Sequence, residues 1–395
     1  MTMKNKKSIL LFYLFLLTIM STGCWDNVDI TERSFVFAIG LDKTMDNKIE
    51  VTFQVIRPSV IRSSENSGTV EGNTKAVWVI SATGDTVFET ARNAIVSTNY
   101  KMFLTHAKLI VIGENLAKEG IIDILNILEK EHESNINMDI LIAKDLTAKD
   151  ILNANTELTQ IPGMHITESI QSSINVSEFK KSTFIELFKV LENEGHEPTI
   201  GIIYPKVLKD NLKIKDLMLQ GSAVFKKDKL VGYLNPEETQ GLLFATDQFE
   251  NGIVNIKNPY EKNKKVSIEV NKSKSTRDFI INNNRPILTI KVDAQGNIGE
   301  QQGIKDLTKP TAISLLEREL EKSITNSIYK TVDLAQNKYE SDIFGFGKII
   351  HKEDLTFWKN MIDDWNNCFS KSEIRVNVNF KITRSGYINR PTLPE

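Results

Sequence analysis

The run Met20-Ser21-Thr22-Gly23-Cys24 constrains this chain most, because it ends a short apolar segment at the N-terminus. Lys4, Lys6 and Lys7 precede that segment, and Ile9 to Met20 is apolar except for Thr18. A basic stretch, an apolar stretch and small residues at a cleavage point form a signal-peptide pattern. A cysteine at that point is where a bacterial lipoprotein is cut and acylated. Gly23 lets the backbone pass close to the peptidase, and the Cys24 thiol takes up a diacylglyceryl group with its two acyl (palmitate-like) chains. Ser21 stands where such signals usually carry leucine. Two other readings compete. An uncleaved membrane helix needs about 20 apolar residues, and here the run fails at Ser21-Thr22-Gly23, with Asp26 close behind. A secreted protein could also carry a chance cysteine at its cleavage site. On the lipoprotein reading residues 1–23 are a leader, and the remainder folds as a body held to a membrane by its first residue. Two acyl chains suffice for stable anchoring, where one would be marginal.

The length beyond the leader suits two or three domains. An apolar fraction of 41% and a charged fraction of 25% are ordinary for a globular body, so no disordered or fibrous class applies. The net charge is −2, and the leader holds three lysines and no acid, so the body alone is more acidic still. That balance argues against a nucleic-acid partner and leaves membrane affinity to the lipid. With Cys24 acylated, Cys368 has no intramolecular partner, so no disulfide framework is expected. It sits in a helical pattern and reads as a buried small apolar residue.

Hydrophobic periodicity divides the chain into an N-terminal α/β domain (24–155), a middle domain of helices and a small sheet (156–250), and a C-terminal α+β domain (251–395). Strands are expected at Phe35–Leu41, Ile49–Ile56, Val77–Ile80, Lys108–Ile112 and Asp139–Ala143. Helices alternate with them: one opened by Thr86 and Glu89 as a capping box, one from Asn115 to Lys130, and one capped by Thr147 and Asp150. Residues 59–76 are polar and read as a loop. From about Asn155 to His196 the pattern is mostly helical. Ile200–Val207, Met218–Phe225 and Leu230–Leu234 read as a small sheet, the last two joined through Lys226–Lys229 as a hairpin. In the last third, Val266, Ile268 and Val270 alternate, as do Leu288, Ile290 and Val292. Pro310 opens a long helix with Leu316, Leu320, Ile324, Ile328 and Val332 on one stripe. A second helix carries Trp358, Trp365 and Phe369, and Ile374 to Ile382 alternate as a strand. The fold class is α+β, multi-domain.

Few residues carry a chemical signature. The five histidines show no metal-ligand spacing, and no nucleophile elbow or phosphate-binding loop of the established kinds is present. Gly345-Phe346-Gly347 is a weak phosphate-loop candidate and reads better as a turn closing the Pro310 helix. Asp123, Glu131 and Glu133 could pair for acid–base work, but more often form a solvated face. Trp358 and Trp365 could floor a ligand pocket; at helical spacing they read as core. No cofactor, metal or catalytic residue is assigned, and the chain is read as a non-enzyme.

The residues after the cysteine carry a resemblance. The sequence runs Cys24-Trp25-Asp26-Asn27-Val28-Asp29-Ile30, then Phe35-Val36-Phe37-Ala38-Ile39-Gly40-Leu41-Asp42. Further on come Thr105-His106-Ala107-Lys108-Leu109-Ile110-Val111-Ile112-Gly113, Gly221-Ser222-Ala223-Val224-Phe225, Lys229-Leu230-Val231-Gly232 and Glu238-Thr239-Gln240-Gly241. Last are Ser341-Asp342-Ile343-Phe344-Gly345-Phe346-Gly347, Trp358 and Trp365. In this order the motifs resemble the Ger(x)C family, the C subunits of spore nutrient germinant receptors. Where that family often carries an arginine- and aspartate-rich run, this chain reads Lys130-Glu131-His132-Glu133-Ser134-Asn135. The resemblance implies a three-domain α+β fold without catalytic activity. It implies lipid attachment to the outer face of the spore inner membrane, and assembly with membrane-embedded A and B subunits. It also implies that Gly40, Gly113 and Gly221 are strand-end positions needing close approach or positive φ. The alternative function is a substrate-binding lipoprotein of a small-molecule transporter, which would show two similar α/β lobes.

Overall fold

The computed structural model describes Tyr13 and residues 33–57, 76–98, 101–130, 135–154, 161–206 and 216–384. Gly23, Cys24, Trp25, Asp26, Glu131, His132 and Glu133 lie outside them, as does nearly all of the polar stretch 59–76.

A mixed nine-stranded sheet organises the first half. Its strands are β1 (Arg33–Lys43), β2 (Ile49–Ile56), β3 (Val77–Gly84), β4 (Lys101–Phe103), β5 (Leu109–Gly113), β6 (Asp139–Ala143), β7 (Thr199–Pro205), β8 (Leu217–Lys226) and β9 (Lys229–Leu234). The order is β3-β2-β1-β5-β6-β7-β8-β9, with β4 beside β1. β1, β5, β6 and β7 are parallel neighbours; both ends of the sheet are antiparallel. The central strands are buried on both faces, so β5 and β6 read as unbroken apolar runs rather than alternation. Ile110 and Ile112 face one core, with α1 (Val87–Thr98), α2 (Glu114–Glu119), α3 (Ile122–Lys130) and α6 (Phe184–Glu192). Leu109 and Val111 face the other, under α4 (Ala148–Asn153) and α5 (Pro162–Ser173).

The three strands expected as a separate small sheet are β7, β8 and β9, and they extend this one. β7 pairs in parallel with β6, Leu141 opposite Gly201 and Ala143 opposite Ile203. Periodicity finds a strand but not its neighbour, because pairing is a long-range choice. The expected helix Asn115–Lys130 is likewise two helices. Gly120, at φ 139°, turns the chain between α2 and α3, a conformation only glycine adopts freely.

The second sheet has the order β10 (Gly252–Lys257), β11 (Lys265–Asn282), β12 (Arg285–Gln301) and β13 (Glu373–Arg384). Strands β10 to β12 are antiparallel and β13 runs parallel to β12. Asn283 and Asn284, both at positive φ, make the two-residue turn of the long β11–β12 hairpin. Against this sheet lie α7 (Pro236–Ala245), α8 (Pro310–Asp333), α9 (Phe346–Glu353), α10 (Leu355–Met361) and α11 (Trp365–Ser370). Pro310 occupies the first turn of α8, where its missing N–H costs nothing. The buried stripe of α8 is Ala312, Leu316, Leu320, Ile324, Ile328 and Val332. The same helix shields the free edge of β13: Glu317 and Glu321 accept from the N–H groups of Ile382 and Phe380. Cys368, on α11, is half-buried rather than fully enclosed and packs against this core. Val224 and Leu234 of the first sheet belong to the same core, so the two lobes share a hydrophobic seam.

Candidate functional site

Apart from His106, the described motif residues fall into two places. Asp42, at the end of β1, is buried and accepts hydrogen bonds from the Ala148 and Lys149 N–H groups at 2.8 and 3.0 Å. These are unpaired donors of the first turn of α4, so the carboxylate satisfies them and meets the positive end of the helix. Burial still pushes the Asp42 carboxyl above its ordinary value, against the pull of those two bonds. Gly113 passes beside the same carboxylate, and a side-chain carbon there would collide with it. Gly40 lets α4 settle on β1, its absent Cβ lying 3.1 Å from the Leu152 Cδ1. The Gly-Leu-Asp motif therefore fixes a helix on a strand. Neither Gly40 nor Gly113 has positive φ; close approach is the reason for both. His106 is exposed and stacks on Phe35 at a centroid distance of 5.5 Å, away from the other motifs.

The remaining described motif residues converge on the seam between the lobes. Gly221, at φ 82°, bends β8 before Ser222, whose hydroxyl meets that of Thr239 at 3.0 Å. Glu238 closes a capping box at the start of α7: its carboxylate accepts from Asn235 N–H, and Asn235 Oδ1 accepts from Glu238 N–H. The Asn235-x-x-Glu238 spacing is the local signal for that box. Gly241 lets α7 approach α8 until its absent Cβ would lie 2.6 Å from the Thr331 Oγ1. Gly232 is covered by the ring of Tyr339, whose hydroxyl donates to the Tyr233 carbonyl at 2.7 Å.

Asp342 is the hub of this seam. It is fully buried, and its Oδ2 accepts from Gly347 N–H at 2.8 Å and Trp365 Nε1–H at 3.0 Å. Its Oδ1 has no hydrogen-bond partner among the described residues. Burial pushes the carboxyl up to about 6; the Gly347 and Trp365 donors, the Phe346 N–H and the Arg277 charge pull the other way. Gly345, at φ 70°, is the N-cap of α9, so the Gly-Phe-Gly segment opens a helix and does not close the Pro310 helix. Its glycines are there for the turn and for contact: the segment Glu194-Gly195-His196-Glu197 from the first lobe lies directly on it.

That segment was not singled out by its sequence. Gly195 O accepts from Lys348 N–H at 2.8 Å, and Glu197 N–H donates to Asp342 O at 3.0 Å. Trp358 Nε1–H reaches Glu194 at 3.3 Å, and Asn366 donates to Glu197 at 2.9 Å. The backbones of Gly195 and Gly347 nearly touch: a Cβ on Gly347 would lie 2.7 Å from Gly195 Cα and 2.5 Å from the Trp365 indole nitrogen. Trp358 and Trp365 are buried, 5.6 Å apart between ring centroids, and belong to the core as their spacing predicts. A polar cleft of about 690 Å³ opens beside them along the seam. His196 rests on Gly345, and burial holds its imidazole down at about 4, helped by Arg277 and Lys348.

The arrangement joins the 194–197 segment to the 342–366 segment. Among the described residues no group of three or more His, Cys, Asp or Glu side chains could hold a metal ion. Gly347→Ala must push either Trp365 or the 194–197 segment away, and overpacking of this kind costs about 1–3 kcal/mol. A matching drop in the urea midpoint is expected; an unchanged midpoint would mean that the two segments do not meet as described.

Two family models match the chain in order. One, described as the spore germination protein N-terminal domain, matches residues 26–204. The other, spore germination B3/GerAC-like, C-terminal, matches residues 220–386. The chain is similar to spore germination protein KC of Bacillus subtilis (strain 168), 26% identical with 98% of each chain covered. It is also similar to spore germination protein B3 of the same strain, at 23% identity with 98% and 99% covered. Spore germination protein GerQC of Bacillus cereus is 23% identical, with 94% and 97% covered. Among solved structures, the GerBC protein aligns with a TM-score of 0.57 at 20% identity, over 87% of this chain and 96% of that one. The fold is shared with that protein.

Proposed function

The chain belongs to the Ger(x)C family of spore germination proteins, and from that premise we propose that it is the non-catalytic, lipid-anchored C subunit of a spore nutrient germinant receptor. The observation that carries this is the collinear match to spore germination proteins over nearly the whole chain. A seam made of caps, glycine contacts and a buried carboxylate suits a protein whose task is to hold shape beside partners rather than to turn over a substrate. The partners proposed are the membrane-embedded A and B subunits. Deleting the gene in a spore-former without a redundant receptor and following nutrient-triggered germination tests the reading; normal germination would sink it.

Anchoring through Cys24 to the outer face of the spore inner membrane is part of the same proposal. No helix among the described residues is long and apolar enough to cross a membrane. The Cys24 diacylglyceryl group would supply the attachment, and tethering raises the effective concentration of the body beside the A and B subunits. Cys24→Ala is expected to release the protein from the membrane fraction and to weaken copurification with both subunits, while the urea midpoint of the body stays unchanged. Full membrane retention of the variant would refute the anchor.

A further inference from the structure

A second cavity, of about 240 Å³, lies in the seam and shares His196 in its wall with the polar cleft. Its charged lining is unbalanced: Lys180, Lys189, Arg277 and Lys348 face it, against Glu186 alone. Glu186 is exposed and already engaged as the capping partner of Thr183 at the start of α6. None of the four cations forms an ion pair with a carboxylate among the described residues.

Two of the four are half-buried. The Lys180 ammonium donates to the Lys181 carbonyl at 2.7 Å, and the Arg277 guanidinium to the Phe344 carbonyl. An ammonium has three donors and a guanidinium five, so each has donors left over. Burial drives the Lys180 ammonium down to about 8 and lowers Arg277 as well. The carboxylates of Asp342 and Asp247 act on Arg277, and that of Glu186 on Lys180, without closing to an ion pair, and a cation held from water is costly unless an anion joins it directly. The rest of the wall includes the apolar side chains of Leu187, Val190, Leu242 and Ile343. A cationic end beside an apolar wall in a small concave site is the chemistry of a ligand pocket.

We propose that this pocket binds a small organic carboxylate, its charge between Lys180, Arg277 and Lys348 and its short apolar body against Leu187, Leu242 and Ile343. Arginine supplies the planar fork that fits a carboxylate. The cations come from different parts of the fold. Lys180 precedes α6 in the first lobe, whereas Arg277 on β11 and Lys348 on α9 belong to the second. A bound carboxylate therefore bridges the lobes and tightens the joint that the Gly195–Gly347 contact makes. The inference does not depend on receptor membership.

The test is calorimetric titration of the full chain in non-ionic detergent with 4-methylpentanoate, its uncharged amide and inorganic phosphate. The carboxylate is expected to bind and to raise the melting temperature, the amide to do neither, and phosphate to bind at least tenfold more weakly because it leaves the apolar wall empty. Arg277→Met is expected to abolish binding. Lys348→Met, at an exposed position that does not threaten folding, is expected to weaken it about tenfold. Equal binding of the amide, equal binding of phosphate, no carboxylate binding, or undiminished binding to folded Lys348→Met would each overturn the proposal.

Discussion

Asp342→Asn is expected to be more stable than the parent at pH 7, and to lose that advantage as the pH falls to 4. The folded Asp342 carboxyl lies at about 6, above its ordinary 3.8. Its contribution to stability is therefore fully present below about 3.8 and is lost as the pH rises through 6. The difference corresponds to about 3 kcal/mol at 1.36 kcal/mol per tenfold change in proton affinity. Asparagine can place its amide oxygen where Oδ2 now accepts from Gly347 and Trp365, with no charge to bury. His196 pulls the opposite way in the same window. Its imidazole lies at about 4 when folded, below its ordinary 6.5, so its contribution is present above 6.5 and is lost as the pH falls toward 4. The two opposing slopes largely offset each other in the parent. His196→Gln should thus gain on the parent by about 3 kcal/mol between pH 7 and pH 4, while Asp342→Asn falls back by a similar amount. Urea unfolding of the three proteins across that range reads this directly. Parallel curves would mean that neither group is buried as described.

Trp365→Ala should produce the largest loss of any single change at the seam, about 3–5 kcal/mol, the range for truncating a buried tryptophan. The indole is nearly inaccessible, packs on Trp358 and Phe369, and donates to a carboxylate with one oxygen already unpartnered. Trp365→Phe separates the effects. It keeps most of the packing but removes the donor, so it should cost about 1–3 kcal/mol and push the Asp342 carboxyl higher still. A loss below 1 kcal/mol for the alanine variant, measured as the urea midpoint times the slope, would contradict the role of Trp365 as a shared support of core and carboxylate.

Some of this was legible one residue at a time. The Thr147–Asp150 capping box, the alternation of β13 and the stripe of α8 all appear where short-range pattern places them. Each depends on neighbours within one or two turns, so the chain states it locally. The capping boxes at Thr183 and Asn235 rest on the same short-range spacing. The family motifs named residues without stating what each one touches. Glycines 40, 113, 232, 241 and 347 are conformationally ordinary, and their value lies in what would collide with a side chain.

The sequence alone determined the α+β class, most elements, and the family, because propensity, periodicity and ordered motifs are properties of contiguous residues. Tertiary structure alone decided that β7 to β9 extend the first sheet, and that Gly195 meets Gly347 across the seam. It also decided that Lys180, Arg277 and Lys348 share one cavity. Those facts join residues far apart in the chain. They are set by which apolar faces close on each other, and no local pattern encodes that choice.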